Sequence, residues 1–438
     1  MDGSIDSVTL NNHLIHCLMY ADDLILLASS PNGLQSKLDI LDKYCNDWCL
    51  NVNLSKTKVM VFNKPGKKLS ENFSLHNKSI ECVQQYKYLG VYFCNSGSFT
   101  MAQNELYKKA LKACSKLQRE ITSKYHNVNI NLHLFDHTIA PILLYGCEIW
   151  GCFNPLASKF KDKDVTMNKI FNKLKCETLH IKYCKSILGV QKKSSNFAVL
   201  SELGRFPLYY QIIKTMLNYW FRLETLQNPS LILLKEAYLV SKNLCLQNKP
   251  SWFASIQAML DQLSDFKNID LSKQSPCSFK KKLSNIARHH FINLWEKEKE
   301  GQKHGKLRTY ISFKNNFGRE HYLSIISNFD QRKNITKLRI SAHQLNIERG
   351  RYIGLPPELR VCFQCNLQEI EDEHHFLFIC SKYHNERSEL MEIILKINPN
   401  FSLLTSIQKL IWVLNNENKE ILCLLGKFIF QSSIRTNT

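Results

Sequence analysis

No apolar run in this chain approaches the ~18 residues that a membrane-spanning helix needs. The opening stretch, MDGSIDSVTLNN, has neither the basic nor the hydrophobic region of a secretory signal. These absences argue against membrane spanning and against export. Acidic residues are scarce beside basic ones, 38 Asp plus Glu against 58 Lys plus Arg, so the net charge is +20 before histidine is counted. Such an excess implies a polyanionic partner, and without a membrane segment nucleic acid is the better reading than an anionic bilayer. A compact cysteine framework is lacking too. The sixteen cysteines are scattered through helical and strand-like segments, which reads as reduced thiols in the cytosol or nucleus. No internal repeat is present. At 438 residues and 44% hydrophobic content, the chain can hold two to four ordinary globular domains.

What is there divides by pattern. Residues 1 to 95 alternate short strand signals with one helix. SVTLNNHLIHCLMY reads as strand, turn, strand, and LILLA as a returning strand. Ser30 and Pro31 suit a helix start, and Leu34, Leu38, Leu41, Cys45 and Trp48 follow at helical spacing. KVMVF (58–62) and YKYLGVYF (86–93) are strand candidates. Together they predict one compact layer of sheet with a helix on one face. From about residue 100 to 325 the pattern is mostly helical. It includes the basic stretches 108–124, 160–193 and 278–288 and a buried apolar segment, LFDHTIAPILLYGCEIWG. A further basic helix is expected over 334–348, where Leu338, Ala342 and Leu345 lie beside Lys337, Arg339 and His343. The predicted fold class is therefore α+β.

Two constellations carry chemistry. In LMYADDLILLAS, Asp22 and Asp23 stand side by side between apolar runs, with no lysine or arginine near enough in sequence to neutralise them. Adjacent carboxylates repel, and a hard cation such as Mg²⁺ would offset that repulsion. A solvated turn is the plainer reading. Strand alternation makes the two residues inequivalent, so Asp22 would face a metal and Asp23 would assist from the side. Two-metal phosphoryl transfer needs at least one more carboxylate from another strand. The second constellation is VCFQCNLQEIEDEHHFLFICSKYHNER. Cys362, Cys365 and Cys380, with His374 or His375, have the spacing of a closed tetrahedral zinc site, structural because no position stays open for water. His384 reads as a surface residue. The acidic Glu371, Asp372 and Glu373 argue that this site does not itself grip phosphate, a task better suited to the 334–348 helix and the ERGR stretch.

The run from CLMYADDLILLASS through LNVNLSKTKVMVFNK to YKYLGVYF resembles the reverse transcriptases of LINE-type (non-LTR) retrotransposons. The resemblance implies that Tyr20, Ala21, Asp22 and Asp23 form the palm hairpin with catalytic, Mg²⁺-holding aspartates. Lys56, beside Asn53, would be the lysine that protonates leaving pyrophosphate, with Lys58 a weaker candidate. Leu89 and Gly90 would centre the primer-grip hairpin. LFDHTIAPILLYGCEIWG is similar to the segment after the thumb. LGRFPLYYQIIKTMLNYWFRL and GRYIGLPPELRVCFQC are similar to the C-terminal region of these elements. There the zinc knuckle favours His375 as the fourth ligand, giving Cys362, Cys365, His375 and Cys380.

The implied organisation is a partial palm over 1–95, a helical thumb and connection over 96–225, a basic helical region over 226–330 and a zinc-knuckle region over 331–438. The implied reaction is RNA-templated DNA synthesis, with RNA template, DNA primer or target and deoxynucleotides as partners, no membrane, and a nuclear location with the cytoplasm as alternative. Only nineteen residues precede Tyr20, and their acids, Asp2 and Asp6, lack the setting of the family's upstream metal-binding aspartate. The fingers are missing as well. The expectation is a truncated reverse transcriptase, inactive alone. The alternative is a non-catalytic nucleic-acid-binding protein using the basic helices and the zinc knuckle.

Overall fold

The computed structural model describes residues 6–62, 72–120, 127–151, 174–263, 270–302 and 305–435. Helix predominates, and the named strands all fall between Val8 and Cys94: β1 (Val8–Leu10), β2 (His13–Ile15), β3 (Cys17–Tyr20), β4 (Asp23–Leu26), β5 (Phe73–Leu75), β6 (Lys78–Ile80), β7 (Gln85–Tyr88) and β8 (Val91–Cys94). The helices that matter below are α1 (Pro31–Asp47), α2 (Thr100–Glu120), α3 (Val128–Leu134), α4 (Lys175–Leu188), α5 (Tyr209–Glu224), α6 (Pro276–Gly301), α7 (Phe329–Arg339), α8 (Asn346–Tyr352), α9 (His384–Ile397) and α10 (Lys419–Arg435). The composition is mixed α+β, as the pattern predicts.

The strands do not make the single layer expected. Among the described residues they form four separate antiparallel pairs, each joining sequence neighbours. The cause is local. Every pair is closed by two residues, and each of these turns contains a positive φ: Asn11 (52°), Ala21 (53°), His76 and Asn77 (49° and 57°), Leu89 and Gly90 (45° and 84°). Such tight turns reverse the chain at once and commit each strand to its neighbour. YKYLGVYF is accordingly a hairpin, β7–β8, turning at Leu89 and Gly90 as the resemblance implies, rather than the one strand its residue pattern suggests. KVMVF contributes only Val59, which bridges in parallel to Cys82.

By contacts the chain divides into two compact units. The first comprises the described parts of Met1–Lys108, Leu144–Phe171 and Gln211–Ile286; the second, those of Lys109–Leu143, Asn172–Tyr210 and Ala287–Thr438. In the first, α1 starts as its sequence predicts, with Ser30 as N-cap accepting from the Gly33 N–H and Pro31 in the first turn. Leu38 packs with Val59, Phe73, Leu75 and Ile80, and Leu26, Leu34 and Leu41 close the edge of this core. Trp48, the last residue of the predicted stripe, lies instead past the helix end and is exposed.

The second unit is helical. LFDHTIAP is buried at Phe135 and Ile139 as expected, but its backbone widens into a π-turn over Phe135–Ile139, leaving Asp136 to make a bidentate pair with Arg205 at 2.6 and 2.7 Å. Over the part of the basic stretch 160–193 that α4 covers, the solvated face is a narrow strip: Lys175, Thr178 and Lys182 are exposed, opposite a buried apolar stripe. Lys185 instead turns inward to donate to the Lys192 carbonyl (2.7 Å), and Glu177 and His180 pair in the interior at 2.9 Å. One sequence expectation fails outright: no helix runs through 334–348. α7 ends at Arg339 and α8 begins at Asn346, with Ser341 at φ 53° between them. Arg339 points into the core, where its guanidinium grips Glu202 at 2.9 and 3.1 Å and also pairs with Glu320. A buried ion pair of this kind leaves nothing to offer a phosphate. α7 and α9 both pack on α10.

Candidate functional site

The β3–β4 hairpin puts Tyr20 opposite Asp23, so Ala21 and Asp22 form the turn itself. Positive φ at the first of the two central residues alone is the pattern of a type II′ turn, one of the two that suit a tight hairpin. Asp22 thus sits at the tip and Asp23 begins the returning strand. Both are exposed. Neither carboxylate makes a hydrogen bond or ion pair, and neither belongs to a group of three or more ligating side chains, among the described residues. Two carboxylates without a third fall short of the ligand set that two-metal chemistry requires.

The supports of this hairpin were not read from sequence. Lys37 lies on the inner face of α1, fully buried, and its ammonium donates to the carbonyls of His16 (3.3 Å) and Leu27 at the hairpin's base. Burial lowers its pKa. Asp6 is no metal ligand here: its carboxylate accepts from the Ser30 N–H (2.7 Å), the Ser30 hydroxyl (2.6 Å) and Ser29, anchoring the start of α1. These hydroxyls hold the Asp6 carboxyl well below the usual range. Gly33 makes the anchor feasible, because a Cβ there would fall 2.1 Å from the Asp6 carboxylate. A lysine inside an apolar helical stripe was the one signal in the sequence.

Lys56 lies in a turn organised by Asn53, whose side-chain oxygen accepts from the Lys56 N–H at 3.2 Å; its own side chain is exposed. Tyr86 of β7 donates to the Lys56 carbonyl at 2.9 Å, so the lysine turn is tied to the β7–β8 hairpin. Lys58 is engaged elsewhere, with Glu81 at 2.8 Å. At the Leu89–Gly90 turn, the Tyr145 hydroxyl donates to the Leu89 carbonyl at 2.9 Å, and its ring would meet a Gly90 Cβ at 3.0 Å. The structure gives no contact between Lys56 and either aspartate.

The cysteine constellation is built differently. The backbone N–H of Cys362 donates to the Glu369 carbonyl, and Val361 bridges to Ile370, closing a knuckle that presents Cys362 and Cys365. A π-turn over His375–Ile379 then carries the chain from His375 to Cys380. One ligand atom from each of Cys362, Cys365, His375 and Cys380 lies within 4.8 Å of the others. The Cys362 and Cys380 sulfurs are 3.9 Å apart, and Cys365 Sγ is 3.4 Å from His375 Nε2. Tetrahedral zinc with Zn–S bonds near 2.3 Å would place its sulfurs about 3.8 Å apart, so the spacing fits that ion. It is far too long for a disulfide. His374, the other histidine in view, is not in the cluster; its Nε2 is buried without a partner beside Phe378. Burial pushes the Cys362 thiol up to about 12 and raises that of Cys380.

The acidic run beside the cluster is spent on structure. Glu369 reaches His375 Nδ1 at 3.1 Å, Glu371 accepts from the Asn346 N–H at 2.8 Å, and Asp372 accepts from the His375 N–H at 2.8 Å. Glu373 is buried against His343 (3.0 Å) and Thr309 (3.2 Å).

Exposed positive charge recurs along several helices, with Lys175 and Lys182 on α4 and longer runs on α2 and α6. α2 buries Ala102, Leu106, Ala110 and Cys114 and exposes Lys109, Lys112 and Lys116; α6 buries Phe279, Leu283 and Ala287 and exposes Lys280, Lys281, Lys282 and Arg288. The basic residues of 121–124 and 160–173 lie outside the described residues. In ERGR, Arg349 is exposed, whereas Glu348 is buried and paired with Arg351 at 3.4 Å. No helix among the described residues is long and apolar enough to cross a membrane.

Residues 1–93 match the family described as reverse transcriptase (RNA-dependent DNA polymerase). The chain is 28% identical over 152 residues to a transposon-derived protein of Caenorhabditis elegans, covering 34% of this chain and 53% of that protein. It is 29% identical over 140 residues to the "Probable RNA-directed DNA polymerase from transposon BS" of Drosophila melanogaster, covering 30% of this chain and 16% of the relative. It is 24% identical over 140 residues to the RNA-directed DNA polymerase from mobile element jockey of the same fly, covering 30% and 15%. The chain thus spans about half the length of the first of these relatives and far less of the other two. The chain is therefore similar to transposon-encoded RNA-directed DNA polymerases, the LINE-type jockey element's among them, and residues 1–93 are the part that the reverse-transcriptase family itself matches.

Proposed function

We propose that this chain is part of an RNA-directed DNA polymerase of a non-LTR retrotransposon, with β3–β4 and α1 belonging to its palm and the cysteine cluster a structural zinc knuckle. The observation that carries the reading is the two-residue turn bearing Asp22 next to Asp23 inside the reverse-transcriptase match. In a complete enzyme Asp22 and Asp23 would help hold Mg²⁺, which polarises the phosphate and lowers the pKa of the attacking hydroxyl. Lys56 would deliver a proton from its exposed ammonium to the leaving pyrophosphate. Leu89 and Gly90, braced by Tyr145, would hold the primer end. RNA template and DNA primer are the expected partners, and the nucleus the expected location.

With two carboxylates and no third beside them among the described residues, this chain alone is expected to incorporate no nucleotide. Primer extension on an RNA template, using purified protein and its Asp22→Ala variant, tests this. Extension that disappears in the variant would overturn the inactivity. A second reading has the exposed lysines of α2 and α6 behind it: a non-catalytic nucleic-acid-binding protein. RNA binding that weakens steeply with salt, without incorporation, is its signature.

A further inference from the structure

We infer that Glu369 is a positioning residue for the metal cluster: its carboxylate fixes His375 in the tautomer that turns Nε2 toward the three sulfurs. The inference rests on the zinc reading above. A neutral imidazole carries one N–H, and only its other nitrogen has a lone pair to give a metal. His375 is buried, with Nε2 3.4 Å from Cys365 Sγ and Nδ1 3.1 Å from Glu369 Oε2. Placing the proton on Nδ1, where a carboxylate accepts it, leaves Nε2 as the ligand. Carboxylate partners of this sort raise the basicity of a ligating histidine and fix the orientation of its ring.

Three features of the site agree. The Asp372 carboxylate accepts from the His375 backbone N–H at 2.8 Å, so main chain and ring are aimed by neighbouring acids. The Cys362 N–H donates to the Glu369 carbonyl at 2.8 Å, so the residue that orients the histidine is also hydrogen-bonded to a sulfur-bearing residue. His374, one residue away, has no such carboxylate, and its buried Nε2 is without a partner. Glu369 therefore distinguishes between two adjacent histidines of equal chemistry. Its side chain is half exposed, which keeps the carboxylate outside the cage.

The test uses the full chain, stripped of metal and reloaded with zinc, with affinity read by competition against a chromophoric chelator. The wild type binds one zinc. Glu369→Ala should weaken binding about 10-fold to 100-fold, the range for lost outer partners of this kind. Glu369→Gln keeps an oxygen to accept from Nδ1–H and should stay within a few-fold of wild type, and Glu358→Ala, on an exposed residue elsewhere, should have no effect. Cobalt-loaded wild type and Glu369→Ala should give the same three-sulfur, one-nitrogen absorption spectrum, and nitrogen NMR of the zinc form should place the His375 proton on Nδ1. Zinc affinity unchanged in Glu369→Ala overturns the inference and leaves the zinc reading standing. A changed cobalt spectrum overturns it by making Glu369 a ligand. A wild type that takes up neither metal removes the zinc reading and the inference with it.

Discussion

The aspartate hairpin and the cysteine–histidine cluster are both collections of metal-type ligands, and they are built on opposite plans. At the hairpin two carboxylates stand in water, placed only by a backbone turn and by the buried Lys37 beneath it. At the cluster four donor atoms converge, three of the four residues are buried, and neighbouring acids hold the histidine by ring and backbone. A closed ligand set with its second layer in place binds on its own, whereas an exposed pair depends on what is brought to it.

Breaking the cage should have the largest effect. Cys380→Ala is expected to abolish zinc uptake and to cost several kcal/mol of stability, because metal affinity of this kind is folding free energy. Metal content and thermal unfolding measure it together. Next comes a buried partner without metal: Glu202→Gln removes the charge of the main partner of Arg339 but leaves Glu320 and the Leu414 carbonyl, so denaturant unfolding should show a loss of about 2–3 kcal/mol, below the about 3–5 kcal/mol of a fully stranded buried charge.

The hairpins lie lower on the scale. Gly90→Ala places a side chain at φ 84° and 3.0 Å from the Tyr145 ring, which predicts a loss of about 1–2 kcal/mol. Tyr145→Phe should recover none of it, since the ring remains. Glu224 tests a half-buried carboxylate at the end of α5. Burial opposes its charge, but the Tyr238 hydroxyl and Lys242 outweigh burial and lower its pKa. A carboxyl lowered on folding stabilises above its unfolded pKa and loses that contribution as pH falls through its folded value. Glu224→Gln should therefore cost about 1 kcal/mol at pH 7 and progressively less below about pH 4.5. The smallest effect belongs to the aspartate tip. Asp22→Asn with Asp23→Asn is expected to shift stability by less than about 0.5 kcal/mol. A large loss in that double variant would mean the tip is braced after all, and the contrast would collapse.

Much of this was legible because local chemistry set it. Ser30 and Pro31 announce α1, YADD announces a hairpin, and the cysteine spacing announces a cluster. The failures share a cause as well. The 160–193 and 334–348 stretches read as solvated basic faces, yet Lys185 turns in to the Lys192 carbonyl and Arg339 into the core against Glu202, contacts that no periodicity displays. By residue pattern YKYLGVYF reads as one strand, because Leu89 occupies a left-handed position that sequence would assign to Asn or Gly; only the family resemblance puts a hairpin at Leu89 and Gly90. Which histidine joins the sulfurs was open on spacing alone. What separates them in space is a hydrogen bond that His375 makes to an acid six residues away, and nothing in the order of letters marks it.

The β3–β4 ribbon has one further consequence. Along both outer rims its main-chain amides and carbonyls have no strand beside them among the described residues, and Leu18, Met19, Tyr20 and Leu24 lie open to water. Such a rim is a template that accepts any extended segment of suitable register. Sedimentation of the purified chain should consequently depend on protein concentration, and a lysine introduced at Met19, which is 75% exposed, should blunt that self-adhesion while sparing the fold.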